Sequence, residues 1–142
     1  MKLTEFKGPI IVTVSYVFLY YIFLVNILRV KVKLHKKYRD KGEKFDRYFS
    51  QDREMLAADR IQLNMLEQMP TFLTLLWLYS FFIDIKCASI LGGIYVFSRA
   101  IYPLILNGKM GREVTPKIFI STFIGYGVQF YFAIALLIKT IN

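Results

Sequence analysis

The chain has 142 residues, of which 56% are hydrophobic, 17% aromatic and 20% charged. That composition excludes a disordered chain and, at this length, implies one domain. The net charge of +9 suits nucleic acid, an anionic ligand or a membrane surface, and the clustering of the apolar residues decides for the membrane.

Four apolar blocks follow one another. Residues 8–28 carry no charge, residues 61–83 carry only Glu67, residues 87–108 carry only Arg99, and residues 118–138 carry none. A helix rises about 1.5 Å per residue, so roughly 20 residues cross the hydrocarbon. Backbone groups in lipid must be satisfied within the segment, and four strands without strict alternation would not close a barrel. The expected fold is therefore all-α: an integral membrane four-helix bundle with spans at about 8–30, 60–83, 87–107 and 116–139. The first block starts like a signal peptide. It is too long for one, lacks a small-residue cleavage site and runs straight into Arg29, Lys31 and Lys33, so it is read as a retained span.

Thirteen Lys and Arg fall in or beside the loops 31–59 and 108–116, against four on the other side. The positive-inside bias places both loops in the cytoplasm and both termini opposite. The turn at Asp84, Ile85 and Lys86 predicts a tight hairpin of spans two and three, and Pro116 suits the first turn of span four. The long basic loop has two readings, a solvated and partly helical extension against anionic headgroups or a rim attracting an anionic ligand; composition favours the first. His35, in this loop, is expected to be solvated. Nucleic acid is not an expected partner, because no recognised motif frames the loop aromatics.

The informative residues are polar groups inside the spans, where charge is expensive and usually partnered. Arg60, Asn64 and Glu67 stack at i, i+4 and i+7 on span two, with Gln68 flanking them and Gln62 pointing nearly the opposite way. Tyr95, Arg99 and Tyr102 repeat that spacing on span three. Glu67 and Arg99 each lie about 10 Å inside the cytoplasmic end of their helices, so a Glu67–Arg99 ion pair is expected. A buried pair that only sets helix register would not account for a stripe continuing to the mouth. Arg, Asn, Tyr and Glu on one wall suit a small zwitterionic or anionic ligand. Asn26 and Arg29 end span one near the same mouth, although an interfacial arginine commonly only snorkels. Gln129 is the deep amide of span four, with Gly125 and Gly127 allowing close helix approach. Trp77 and most Tyr and Phe fit interfacial belts. Cys87, the single cysteine, excludes an internal disulfide and has no activating neighbour. No metal-ligand spacing is present.

The run Arg60-Ile-Gln62-Leu-Asn64-Met-Leu-Glu67-Gln68-Met-Pro70 resembles the R-x-[QH]-x-N-x-x-E-x-x-P signature of the MAPEG family, membrane-associated proteins in eicosanoid and glutathione metabolism. Arg99 followed by Tyr102 is similar to the family's second element. The resemblance implies a homotrimer binding glutathione as co-substrate between subunits. Residues matching Arg60, Asn64, Glu67 and Tyr102 would hold the tripeptide, and Gln62 would reach it from the adjacent subunit; the stripe of span three adds Arg99 to the expected glutathione-binding set. It also implies an arginine near the cytoplasmic face that lowers the thiol pKa, for which Arg29 and Arg112 are the candidates. The thiolate would then attack a lipophilic electrophile or reduce a lipid hydroperoxide. The sequence departs from the family at Gln68, where some members have Tyr, and at Leu106, where leukotriene-C synthase has a second Tyr. Two alternatives remain: a non-enzymatic lipid- or glutathione-binding membrane protein, and a small transporter using Glu67 as a proton site.

Overall fold

The computed structural model describes residues 3–49, 52–106 and 117–141, with the side chains of 117–119 left out. Four helices follow in order: α1 (Lys7–Arg39), α2 (Arg53–Phe82), α3 (Ile85–Leu106) and α4 (Lys117–Ile141). The central pair is α2 and α3. Helix α1 packs on both from one side and α4 on both from the other, and α1 and α4 do not touch among the described residues.

Local chemistry accounts for the helix ends. The Asp52 carboxylate caps α2 by accepting from the backbone N–H groups of Glu54 at 2.9 Å and Met55 at 3.4 Å, and Glu54 adds negative charge to the first turn. Lys36, Lys37 and Arg39 complement the negative end of α1. Asp84 accepts from the Cys87 N–H and starts α3 two residues after α2 ends, which makes the expected tight hairpin. Pro70 and Pro103 lie within α2 and α3. Membrane helices tolerate proline when neighbours satisfy the freed backbone groups. Pro70 frees the Leu66 carbonyl, and one residue earlier the Tyr16 hydroxyl of α1 donates to the Met65 carbonyl at 2.6 Å.

Among the described residues, three helices are long and apolar enough to cross a membrane: α1, α3 and Ile120–Ile141 of α4. The chain is therefore a multi-pass integral membrane protein. Helix α2 matches them in length but falls short in apolarity, because Gln62, Asn64, Glu67 and Gln68 interrupt it. Part of the stretch expected as loop 31–59 is helical: α1 runs on to Arg39 and α2 begins at Arg53.

The main core lies between the helices. Phe72 stacks on Tyr95 with centroids 3.8 Å apart and planes at 9°, and Tyr16 closes on both rings. A Cβ at Gly92 would come within 2.8 Å of Val12 and 2.9 Å of Leu76, so a glycine lets α3 sit tightly on α1 and α2. At the end near the N-terminus, Trp77 neighbours Phe6 and Phe81. A second, smaller core of Leu34, Phe45, Met55 and Ala58 forms where the 40–49 segment meets α1 and α2.

Candidate functional site

Arg99 is the buried charge of the bundle, 3% exposed. The expected Glu67–Arg99 ion pair does not form. Arg99 Nη1 instead donates to Asn64 Oδ1 at 2.8 Å, and Nη2 donates to the Ser121 carbonyl of α4. Its guanidinium carbon lies 5.3 Å from the Tyr95 ring centroid, a cation–π distance. Ser121 Oγ completes the knot by donating to the Ser98 carbonyl at 2.6 Å. A guanidinium has five N–H groups in a rigid fork, and neutral oxygens from α2 and α4 satisfy part of it here. Room comes from Gly125, where a Cβ would stand 2.5 Å from Nη2. That glycine therefore accommodates Arg99 as well as helix approach, whereas Gly127 faces open space and contributes no tight packing.

Glu67 turns to the outer surface of the bundle. Its carboxylate lies 3.7 Å from Arg60 Nη1, and the two side chains are 47% and 42% exposed. The stripe read from sequence is thus divided. Arg60 and Glu67 face out, while Asn64 faces in toward Arg99. The i, i+3 offset between Asn64 and Glu67 is about 60° around the axis, enough to put them on opposite sides of the bundle surface.

Tyr102 is buried on α3, one turn beyond Arg99. Gln62 does point away from the stripe, and its Nε2 donates to the Tyr20 hydroxyl of α1 at 3.0 Å. Arg29 is exposed on α1 and forms no ion pair among the described residues. The whole loop 108–116 expected in the cytoplasm, with Arg112 and Pro116, lies outside the described residues.

The remaining amides link α2 to α4. Gln129 Nε2 donates to Gln68 Oε1 at 2.8 Å, and Gln68 Nε2 donates to the Tyr126 hydroxyl at 3.2 Å. These side chains border a crevice of about 260 Å³ between the two helices, with Leu75, Phe130 and Ala133 as apolar walls. On the far side, the Tyr79 hydroxyl donates to Cys87 Sγ at 3.4 Å. Ser98 and Ser121 were not singled out from sequence. Buried serines in an apolar helix offer no periodic signal, and only the identity of the facing helix reveals what they bond.

The comparisons agree with this architecture. An uncharacterized protein of Synechocystis sp. is 30% identical over 104 residues, covering 72% of this chain and 69% of the relative. The MAPEG family model matches residues 9–138, spanning all four helices. The chain belongs to the MAPEG family.

Proposed function

We propose that this chain is a membrane-embedded, glutathione-dependent transferase or peroxidase, acting as a homotrimer on lipophilic electrophiles or lipid hydroperoxides. The observation that carries this reading is the Arg60–Glu67 pair. Two opposite charges sit half-exposed on a membrane bundle, held 3.7 Å apart. Such a surface suits a zwitterionic ligand held between copies, with Arg60 taking a carboxylate and Glu67 an ammonium. Asn64, fixed by Arg99 from behind, keeps its Nδ2 to donate to a peptide carbonyl. Gln62 keeps its Oε1 to accept from a tripeptide on the neighbouring subunit. Tyr102 completes the wall from α3.

In this reading α2 crosses the membrane with the other three helices. The basic loops 31–59 and 108–116 face the cytoplasm and the termini lie opposite. The thiol loses its proton beside Arg29 or Arg112, since a nearby cation favours the charged sulfur. The thiolate sulfur then bonds to the electrophilic carbon and displaces its leaving group, or attacks the terminal oxygen of a hydroperoxide. In the second case the O–O bond breaks, the alcohol leaves, and the resulting sulfenic acid condenses with a second glutathione to give the disulfide and water. The crevice between α2 and α4 offers the lipophilic substrate an apolar approach beside Gln68.

The test is a glutathione titration of the purified protein, followed by conjugation to a chlorodinitrobenzene. Thermal stabilisation, an ultraviolet thiolate band and turnover are expected. A protein that glutathione neither stabilises nor alters spectroscopically overturns the reading. A second reading, non-enzymatic binding of lipid or glutathione, is favoured by Leu106, which is buried and apolar and brings no phenol to the mouth. Stabilisation without turnover would select it.

A further inference from the structure

Outside the bundle core, the end of α1 and the 40–45 connection enclose a groove of about 690 Å³, within the range of about 300–1,000 Å³ usual for small-ligand clefts. Its walls carry His35, Lys36, Arg39 and Lys44, with Glu43 as the one acid and Phe45 as the floor. The groove is built rather than incidental. Gly42 at φ +74° turns the chain back, a conformation that favours glycine. Phe45 is buried in the small core with Leu34, Met55 and Ala58, and the His35 ring meets it edge-on at 5.0 Å. Arg47 then locks the connection onto α2 through a two-pronged pair with Asp59, at 2.8 and 2.6 Å.

The charges around the groove are sorted. Lys33 is neutralised by Glu54 and Arg47 by Asp59. Lys36 and Lys44 have no ion-pair partner among the described residues, and Arg39 has only Asp40 at 4.0 Å. Lys31, Lys37, Lys41 and Arg53 are also without an ion pair among the described residues, but Lys36, Arg39 and Lys44 are the weakly neutralised cations gathered on one groove.

The groove also continues an exposed apolar rail. Phe18, Tyr21, Val25, Leu28 and Val32 are all exposed and recur at three- and four-residue spacing on one face of α1. Lys36 and Arg39 extend that same face. Val32 stands about 6 Å and Lys36 about 12 Å beyond Leu28 along the axis. Helix side chains lean toward the N-terminus, so Lys36 reaches back toward the headgroup layer.

We infer that this groove binds the phosphate headgroup of an anionic phospholipid, whose acyl chain lies along the α1 rail. The site is separate from the Arg60–Glu67 surface and does not depend on the reading given to it. Lys36 and Lys44 contact the phosphate oxygens, Arg39 closes the outer side, and Phe45 holds the floor in place.

The test uses the full chain in a neutral detergent, with lipid binding followed by native mass spectrometry and thermal shift. The probes are phosphatidylglycerol, phosphatidylcholine with the same acyl chains, and inorganic phosphate. The groove variant is Lys36→Glu with Lys44→Glu. A charge-matched control is Lys37→Glu with Lys41→Glu, two exposed lysines that do not line the groove. Each lysine near an anionic surface contributes about fivefold in binding, so the groove variant should bind phosphatidylglycerol about thirtyfold more weakly or worse, with the control near wild type. Equal loss in both variants would mean diffuse attraction and overturn the site. Equal binding of phosphatidylcholine, or a shift with inorganic phosphate as large as with the lipid, would overturn the anionic-lipid assignment. Circular dichroism of each variant confirms that the helices persist.

Discussion

Asn64 Oδ1 accepts a 2.8 Å hydrogen bond from Arg99 Nη1, so an amide on α2, not the nearby carboxylate of Glu67, anchors the buried guanidinium. The two α2 side chains therefore have separable consequences for stability. Asn64→Ala leaves a buried donor unmatched and should destabilise the protein by about 2–3 kcal/mol. Glu67→Gln removes a half-exposed pair and should change stability by less than about 1 kcal/mol. Melting curves of the ligand-free protein check both. A larger loss for Glu67→Gln than for Asn64→Ala would restore the ion pair expected from sequence.

Gly125→Ala should also destabilise the protein. The added Cβ would meet Arg99 Nη2 at 2.5 Å. The end of an arginine is ordinarily free to move, but this one is tied to Asn64 and Ser121. Overpacking of this kind costs about 1–3 kcal/mol. Gly127→Ala, with nothing within 4 Å, is the matched control and should melt like the wild type or slightly higher.

Arg60→Ala should weaken glutathione binding while leaving the fold intact, because the side chain is half-exposed and touches only Glu67 within an ion-pair distance. Loss of a charged hydrogen-bonding partner corresponds to about 1.5–3 kcal/mol, or about ten- to a hundredfold in affinity. Calorimetric titration of the variant measures it, and unchanged affinity would remove Arg60 from the site.

Arg29→Ala and Arg112→Ala separate the two candidates for thiol activation. The one beside the sulfur should lower turnover and shift the pH profile of the reaction to higher pH, because losing the cation raises the thiol pKa. The other should leave the profile in place. Normal profiles in both would exclude both residues.

The turn at Asp46 has its own pH response. Backbone N–H groups of Phe49 and Tyr48 hold the Asp46 carboxyl below its ordinary range. A depressed folded value means that the turn gains stability from the ionised form above the ordinary aspartate value of about 3.9. That gain disappears as pH falls through the lower folded value. Carbon NMR of the Asp46 carboxyl should give a midpoint below the ordinary aspartate value. A midpoint at or above that value would mean that the turn is not formed in solution.

The amino-acid sequence by itself determined the class of this protein, because uncharged runs of more than 20 residues permit little besides membrane helices. It also determined the hairpin at Asp84, through a turn too short for anything else, and the presence of a polar stripe on α2, through helical spacing. Only the tertiary structure decided who partners whom. Spacing places Arg60, Asn64 and Glu67 within one sector of a helix, but the rotation of that helix against α3 settles which edge of the sector points inward. That rotation goes with packing along the whole helix: the Phe72–Tyr95 stack, the tight contact at Gly92 and the space at Gly125 beside Arg99. It turned Asn64 toward Arg99 and left Glu67 beside Arg60 on the outside. Depth along a helix can be counted from the sequence, whereas its azimuth is a collective property of all four helices.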